Sequence, residues 1–277
     1  VTTDLWQVDG LDLDGYLARL GLPARTPGRE ALDELHEAHV RTFTFDNIDV
    51  FLGQPGTVDL KGVQEKFVGR GRGGYCFEHS TLFAAVLERL GYDVRRHLGR
   101  VGDPADGSLQ GRTHMVVEAV PDGQRLLCDP GFGMSVLRPI PLADGAQDDH
   151  LGWRYRIDHF DGGWQMRRRR DNAWLMMHST DELAVLPADV EIGHYYTSTH
   201  PTSHFKRTLM ITRHLPDRHV TVTHATLTVR RADAPTEHRP LRDGELAYWL
   251  SALEVPLTTD EEQRLLARAA EAAAAQT

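Results

Sequence analysis

Arg70-Gly71-Arg72-Gly73-Gly74-Tyr75-Cys76-Phe77-Glu78 brings a cysteine to the start of a helix. Beyond Cys76 the apolar residues Leu82, Phe83, Val86, Leu87 and Leu90 recur at helical spacing, and Gly91 stands where a C-terminal cap belongs. The spacing therefore predicts a helix whose first turn carries Cys76. Gly73 and Gly74 would let the backbone turn sharply into it, and the unpaired N–H groups of a first turn favour thiolate over thiol. A reactive cysteine is one reading. The other is a small buried hydrophobe, a common fate of free cysteines, with the glycines only forming a loop.

Residues further along bear on that choice. His114 falls in a strand-like run, residues 113–120, and residues 125–129 read as its return. Asp122-Gly123 between them makes a two-residue turn. With Pro121 opposite Gln124, Val116 faces Asp129 and His114 faces Gly131, which leaves Asp129 diagonal to His114 on one face. A slip of one residue would put the two on opposite faces. Pro130 then ends the strand beside the carboxylate. The hairpin predicts a His–Asp pair. With Cys76 it supplies the parts of nucleophilic acyl transfer: a thiol to attack, an imidazole for its proton, a carboxylate to fix the imidazole, and backbone N–H groups for an oxyanion.

These residues resemble the arylamine N-acetyltransferase family. Arg72-Gly73-Gly74-Tyr75-Cys76-Phe77-Glu78 matches its R-G-G-x-C-x-E motif, His114 its catalytic histidine, and Asp129-Pro130-Gly131-Phe132-Gly133 its D-x-G-F-G motif. The resemblance implies a Cys–His–Asp triad of the kind found in transglutaminases and papain-like proteases. It also implies acetyl-CoA as donor, an aromatic amine or hydrazine as acceptor, and a ping-pong mechanism through acetyl-Cys76. Phe43-Thr44-Phe45-Asp46-Asn47-Ile48-Asp49-Val50 resembles the family's P-F-E-N-L-D-V segment, so Phe45 is an acceptor-pocket wall, with Tyr75 and Phe132, or else a core aromatic.

Tyr195-Tyr196-Thr197-Ser198-Thr199-His200-Pro201-Thr202-Ser203-His204-Phe205 resembles the family's S-T-h-P-x-S-x-F motif, whose loop helps form the coenzyme A cleft. This implies Ser198, Thr199 and Ser203 as cofactor-side hydrogen-bonding residues, Lys206 or Arg207 near the phosphates, and Gly131, Phe132 and Gly133 on the same side. For each hydroxyl the competing reading is turn chemistry alone. Two positions depart from the family pattern: Ser80, where asparagine is common, and Met134, where glycine is common.

The chain of 277 residues, 40% apolar and 26% charged, is long enough to bury a sizeable core. A net charge of -9 argues against a nucleic-acid protein, and no apolar run reaches membrane length. Cys76 and Cys128 make neither a disulfide framework nor a zinc pattern, so Cys128 reads as core filler and a reducing cytoplasm as the expected home. Val1-Thr2-Thr3-Asp4-Leu5-Trp6 lacks the apolar run of a secretory leader. His36-Glu37-Ala38-His39 lacks the HExxH spacing, and Pro201 opposes a helix aiming His200 and His204 at one ion, so no metal is expected. Arg167-Arg168-Arg169-Arg170 reads as a solvated strand edge with one or two inward salt bridges.

The expected fold is α+β. A helical domain, 1–92, carries Cys76; an antiparallel β-barrel-like middle, 93–194, carries His114 and Asp129; an α/β lid follows, 195–277. Strands are expected at 94–101, 154–160, 163–169, 175–178, 208–212 and 220–229. Helices follow at 246–253 and from Thr259, with Thr259-Asp260-Glu261-Glu262 as a capping box. Three rivals remain: an amide synthase of the same fold that closes a macrolactam from a carrier-bound acyl chain, a cysteine amidase or hydrolase, and a binding protein with an inactive triad. A homo-oligomer stays open.

Overall fold

Asp12 opens helix α1 (Leu13–Leu20) by accepting the Gly15 N–H at 2.9 Å, and Gly21 closes it in the left-handed conformation. Helix α2 (Arg29–Thr42) buries Leu32, Leu35, His36, His39 and Val40 along one face. Strand β1 (Phe45–Asp46), helix α3 (Ile48–Phe51) and helix α4 (Leu60–Gln64), continued by a π-helical turn over Glu65–Gly69, lead to α5 (Cys76–Leu90). The structure, a computed structural model, describes residues 4–275 apart from 106, 109 and 171; the opening residues 1–3 lie outside the described set.

Helix α5 starts at Cys76 and ends at Gly91 (φ 94°), as expected. Glu78 reaches back to accept the Tyr75 N–H at 3.0 Å, which anchors the residue before the thiol. The glycines act differently from the expectation. Neither Gly73 nor Gly74 has a positive φ; the left-handed residue is Gly71, at 68°. Gly73 and Gly74 are needed for close approach, because a Cβ at the first would collide with the Thr44 carbonyl and at the second with the Glu78 carboxylate.

Strands β2 (Val94–Val101), β3 (His114–Ala119), β4 (Leu126–Cys128), β5 (Ile140–Pro141), β6 (Gln147–His150), β7 (Trp153–Phe160), β8 (Gly163–Arg170) and β9 (Ala173–Thr180) form one antiparallel sheet. Its order is β5-β4-β3-β2-β9-β8-β7-β6, and β5 comes back against β6 and β7, so the barrel nearly closes. The β3–β4 hairpin has the expected register, with Val117 opposite Cys128 and Glu118 opposite Leu127. Asp122 (φ 52°) and Gly123 (φ 78°) make its turn, closed by the Gln124 N–H on the Pro121 carbonyl at 2.9 Å. Between β8 and β9 the register slips: Met166 faces His178 but Arg167 faces Met176, which leaves Met177 as an extra, bulged residue.

Helices α6 (Pro187–Thr199) and α7 (His204–Arg207) precede a second antiparallel sheet of β10 (Met210–His214), β11 (His219–Thr223), β12 (Thr226–Arg231) and β13 (Ala234–Pro240). Its order is β1-β10-β11-β12-β13, so the early strand β1 forms one edge. Helices α8 (Glu245–Ala252) and α9 (Thr259–Ala274) cover it through Leu250 and Leu265, in a core shared with Ile48 and Phe51. Several expectations are corrected here. Helix α6 runs across the boundary expected at 194/195, the run 220–229 is two strands, and β13 is additional. The capping box lies one residue earlier: Thr258 Oγ1 accepts the Glu261 N–H at 3.2 Å, and Glu261 accepts the Thr258 N–H at 2.9 Å. Among the described residues no helix is long and apolar enough to cross a membrane.

Candidate active site

Cys76 occupies the first turn of α5, ahead of the point where the helical ladder begins with the Glu78 and His79 N–H groups on the Tyr75 carbonyl. Cys76 is only 4% exposed, its Sγ lies 3.5 Å from the Thr113 carbonyl, and it lines the same cavity as His114. His114 opens β3 and Asp129 follows the end of β4, so the hairpin register sets them on one face. His114 Nε2 and Asp129 Oδ1 are 3.1 Å apart, and both residues are buried. The His–Asp pair expected from the hairpin is present.

Burial alone would push the His114 imidazole down, but the Asp129 carboxylate, by charge and hydrogen bond, and the adjacent Cys76 raise it to about 10. For Asp129, burial acts upward, and His114 and His178 outweigh it, holding the carboxyl well below its usual range. The Asp129 carboxylate thus favours the protonated form of the His114 imidazole. Burial pushes the Cys128 thiol well up, and the residue shares a buried core with Leu82, Val86 and Val117, as expected of it.

His178 was not foreseen. Its Nε2 lies 2.9 Å from Asp129 Oδ2, so both carboxylate oxygens carry an imidazole partner. The residue comes from β9, and no local motif points to it. The side-chain donor and acceptor atoms of His114, Asp129 and His178 lie within 4.8 Å of one another, and both imidazole Nε2 atoms are at hydrogen-bond distance from the Asp129 carboxylate. The Phe132 ring packs on both imidazoles, with centroids 5.1 Å from His114 and 5.4 Å from His178.

Histidines from the second sheet hold the loop that carries Phe132. Gly133 O accepts from Thr212 Oγ1 at 2.7 Å and His219 Nε2 at 2.6 Å, while Ser135 O accepts from His214 Nε2 at 3.0 Å. Beneath the cysteine, Lys66 bridges Asp49 and Glu78, each at 2.7 Å, and Arg72 meets Asp49 at 3.0 Å. These ion pairs brace the segment leading into α5. His36 and His39 are core residues; His39 joins a buried chain in which Tyr16 O–H donates to His39 Nδ1 at 2.8 Å, His39 Nε2 to His79 Nδ1 at 2.8 Å, and His79 Nε2 to Thr44 O at 3.1 Å.

A cavity of about 750 Å³ opens onto Cys76. Phe45, His114, Gly131, Phe132, Ser203, Phe205, Met210 and Arg207 line it, so several residues singled out in the sequence meet there. Others do not. The Ser198 and Thr199 hydroxyls donate to the Tyr195 carbonyl within α6, and Lys206 Nζ donates to the Thr199 carbonyl at 3.0 Å. Gly133 sits behind the wall, where a Cβ would lie 3.4 Å from the Phe45 ring, and Tyr75 is buried with its hydroxyl on His194. Ser80 donates to the Met115 carbonyl at 2.7 Å and ties α5 to β3; Met134 offers its carbonyl to the Tyr155 hydroxyl at 3.4 Å.

Fold and site together define an acyl-transfer enzyme of known type: residues 30–258 match the family model described as N-acetyltransferase, and the chain belongs to that family. It is 36% identical over 236 residues to the arylamine N-acetyltransferase of Mycolicibacterium smegmatis, spanning 82% of this chain and 85% of that one. Among solved structures, the arylamine N-acetyltransferase from Mycobacterium abscessus aligns with a TM-score of 0.90 at 30% identity, covering 98% of this chain and 99% of that one. The Mycobacterium marinum arylamine N-acetyltransferase in complex with CoA aligns with a TM-score of 0.88 at 31% identity, covering 94% and 99%. The motif resemblance is thus met across nearly the whole chain, and the protein is an acetyltransferase.

Proposed function

We propose that the protein transfers the acetyl group of acetyl-CoA to aromatic amines or hydrazines by a ping-pong mechanism through acetyl-Cys76. The observation that supports this reading is that Cys76 and His114 line one aromatic-walled cavity, with His114 hydrogen-bonded to Asp129 behind it. The Cys76 sulfur, its proton held by His114, attacks the thioester carbonyl, and first-turn N–H groups of α5 stabilise the oxyanion. Collapse breaks the bond to the coenzyme A sulfur, which leaves with the proton from His114. An amine nitrogen then attacks the acetyl carbonyl, the bond to Sγ breaks, and His114 takes the amine proton as the thiolate is restored. Asp129 keeps the imidazole oriented and offsets its charge.

Coenzyme A is a fitting donor for a cavity with Arg207 on its wall and aromatic residues near the thiol. Two unpaired cysteines, both buried, suit a reducing compartment such as the cytoplasm. Intact mass after incubation with acetyl-CoA and no acceptor tests the reading. One added acetyl group is expected, absent in Cys76→Ala and discharged by an aromatic amine or hydrazine. No adduct on the folded, reduced protein would overturn acetyl-CoA as donor in favour of a carrier-bound acyl chain, and discharge by water alone would favour a hydrolase.

A further inference from the structure

We propose that His178 is a positioning residue for acyl transfer: its Nε2–H holds the second oxygen of Asp129 so that the first stays aimed at His114. This rests on the function proposed above. An ionised carboxylate only accepts hydrogen bonds, so the 2.9 Å contact fixes His178 as the tautomer protonated at Nε2. A carboxylate gripped by one donor can pivot about that bond. Gripped by two, at 3.1 Å on Oδ1 and 2.9 Å on Oδ2, its plane is set.

Two further features single out this histidine. Its Nδ1 is buried with no hydrogen-bond partner among the described residues, so the ring makes one bond and forgoes the other. Buried unsatisfied nitrogens are uncommon, and an apolar ring would fill the same space without that cost. The bulge at Met177 also falls immediately before it. That extra residue changes which face of β9 the following side chains present, and it turns His178 into the fully buried cluster with Asp129 and Phe132.

The test compares His178→Gln, whose amide can place a donor at a similar reach, with His178→Leu, which fills the site without one. The first readout is the pH profile of Cys76 alkylation by iodoacetamide, which needs no acyl donor and so is separate from the donor assignment. For His178→Leu we expect the alkylation rate at neutral pH to fall about tenfold or more, with its midpoint moved to higher pH. We also expect the acetyl-transfer kcat to fall by a similar factor with KM for acetyl-CoA little changed. His178→Gln should recover most of both. Profiles superimposable on the native one in both variants would overturn the proposal, and so would equal impairment of Gln and Leu. If His178→Leu does not fold, by near-ultraviolet circular dichroism, His178→Asn, whose donor falls short of Asp129, takes its place with the same expectations.

Discussion

Gly131 lies against Cys76: a Cβ at position 131 would fall 2.9 Å from Cys76 Cα and 2.9 Å from His79 Cβ. Cys76 Cα is backbone in the first turn of α5 and has no freedom to yield. The segment from Asp129 to Phe132 therefore reaches the thiol only because position 131 has no side chain. Gly131→Ala is expected to push this segment off α5 and to lower acetyl transfer by about 10²-fold, the scale of an ångström-sized misplacement. Steady-state rates, with circular dichroism to establish folding, check this. A fully active Gly131→Ala would show that the contact is not tight in solution.

The two thiols should separate cleanly. Cys76→Ser is expected to abolish acetyl transfer, whereas Cys128→Ala, which trims a core side chain that does not line the cavity, should leave turnover nearly unchanged and cost about 1 kcal/mol of stability. Rates and urea midpoints of both variants decide it. The reverse pattern would remove the basis for assigning the nucleophile.

Stability should be greatest near neutral pH. His36 and His79 are lowered to about 4 and His214 to about 3, in each case mainly by burial, and burial holds His39 and His219 well below the ordinary imidazole value. A group with a depressed folded pKa contributes stability above its unfolded value, about 6.5, and loses it as pH falls through the folded value. His114 has the opposite sign: raised to about 10, its contribution is present below about 6.5 and fades toward pH 10. His178, His194 and His204 are lowered as well, mainly by burial, so through the imidazole range the depressed histidines outweigh His114 and the acid limb should be steep. Urea unfolding between pH 8 and 4.5 should show the midpoint falling below pH 6.5, with several protons taken up on unfolding. A flat profile from pH 7 to 5 would contradict it.

Arg207 and Lys206 are adjacent, yet only Arg207 lines the cavity, while Lys206 is occupied at the end of α6. On the proposed function, Arg207→Ala should raise KM for acetyl-CoA by about 5- to 100-fold, the loss of one charge-assisted contact. Lys206→Ala should change it far less. Initial rates across donor concentration distinguish the two, and equal effects would argue against a direct role for Arg207.

What the sequence made legible was local. The cysteine helix could be read because Leu82, Phe83, Val86, Leu87 and Leu90 keep helical spacing up to Gly91. The His114–Asp129 pair could be read because Asp122-Gly123 fixes a two-residue turn and, through it, every pairing up the hairpin. Helix α6 escaped because its buried positions are Val190, Gly193, Thr197 and Ser198, while Ile192 and Tyr195 face solvent; its burial does not follow an apolar stripe. His178 escaped because its place depends on a one-residue bulge in a strand distant in sequence from Asp129. The roles of Gly73 and Gly74 were misread for a related reason: the Thr44 carbonyl that crowds Gly73 is a tertiary neighbour.

Strand β1 is only two residues long, yet it touches both ends of the chain's history. Phe45 pairs with Thr212 of β10, and the same short strand exchanges backbone hydrogen bonds with Gly74, Asp46 N–H to Gly74 O at 2.7 Å and Gly74 N–H to Thr44 O at 3.3 Å. A chain emerging from the ribosome N-terminus first exposes the cysteine loop long before β10 exists to complete this edge. The short strand that holds the loop ahead of Cys76 thus gains its second neighbour only when most of the protein has been made, and a nascent or C-terminally truncated chain carries the thiol on a strand whose other edge is still unpaired.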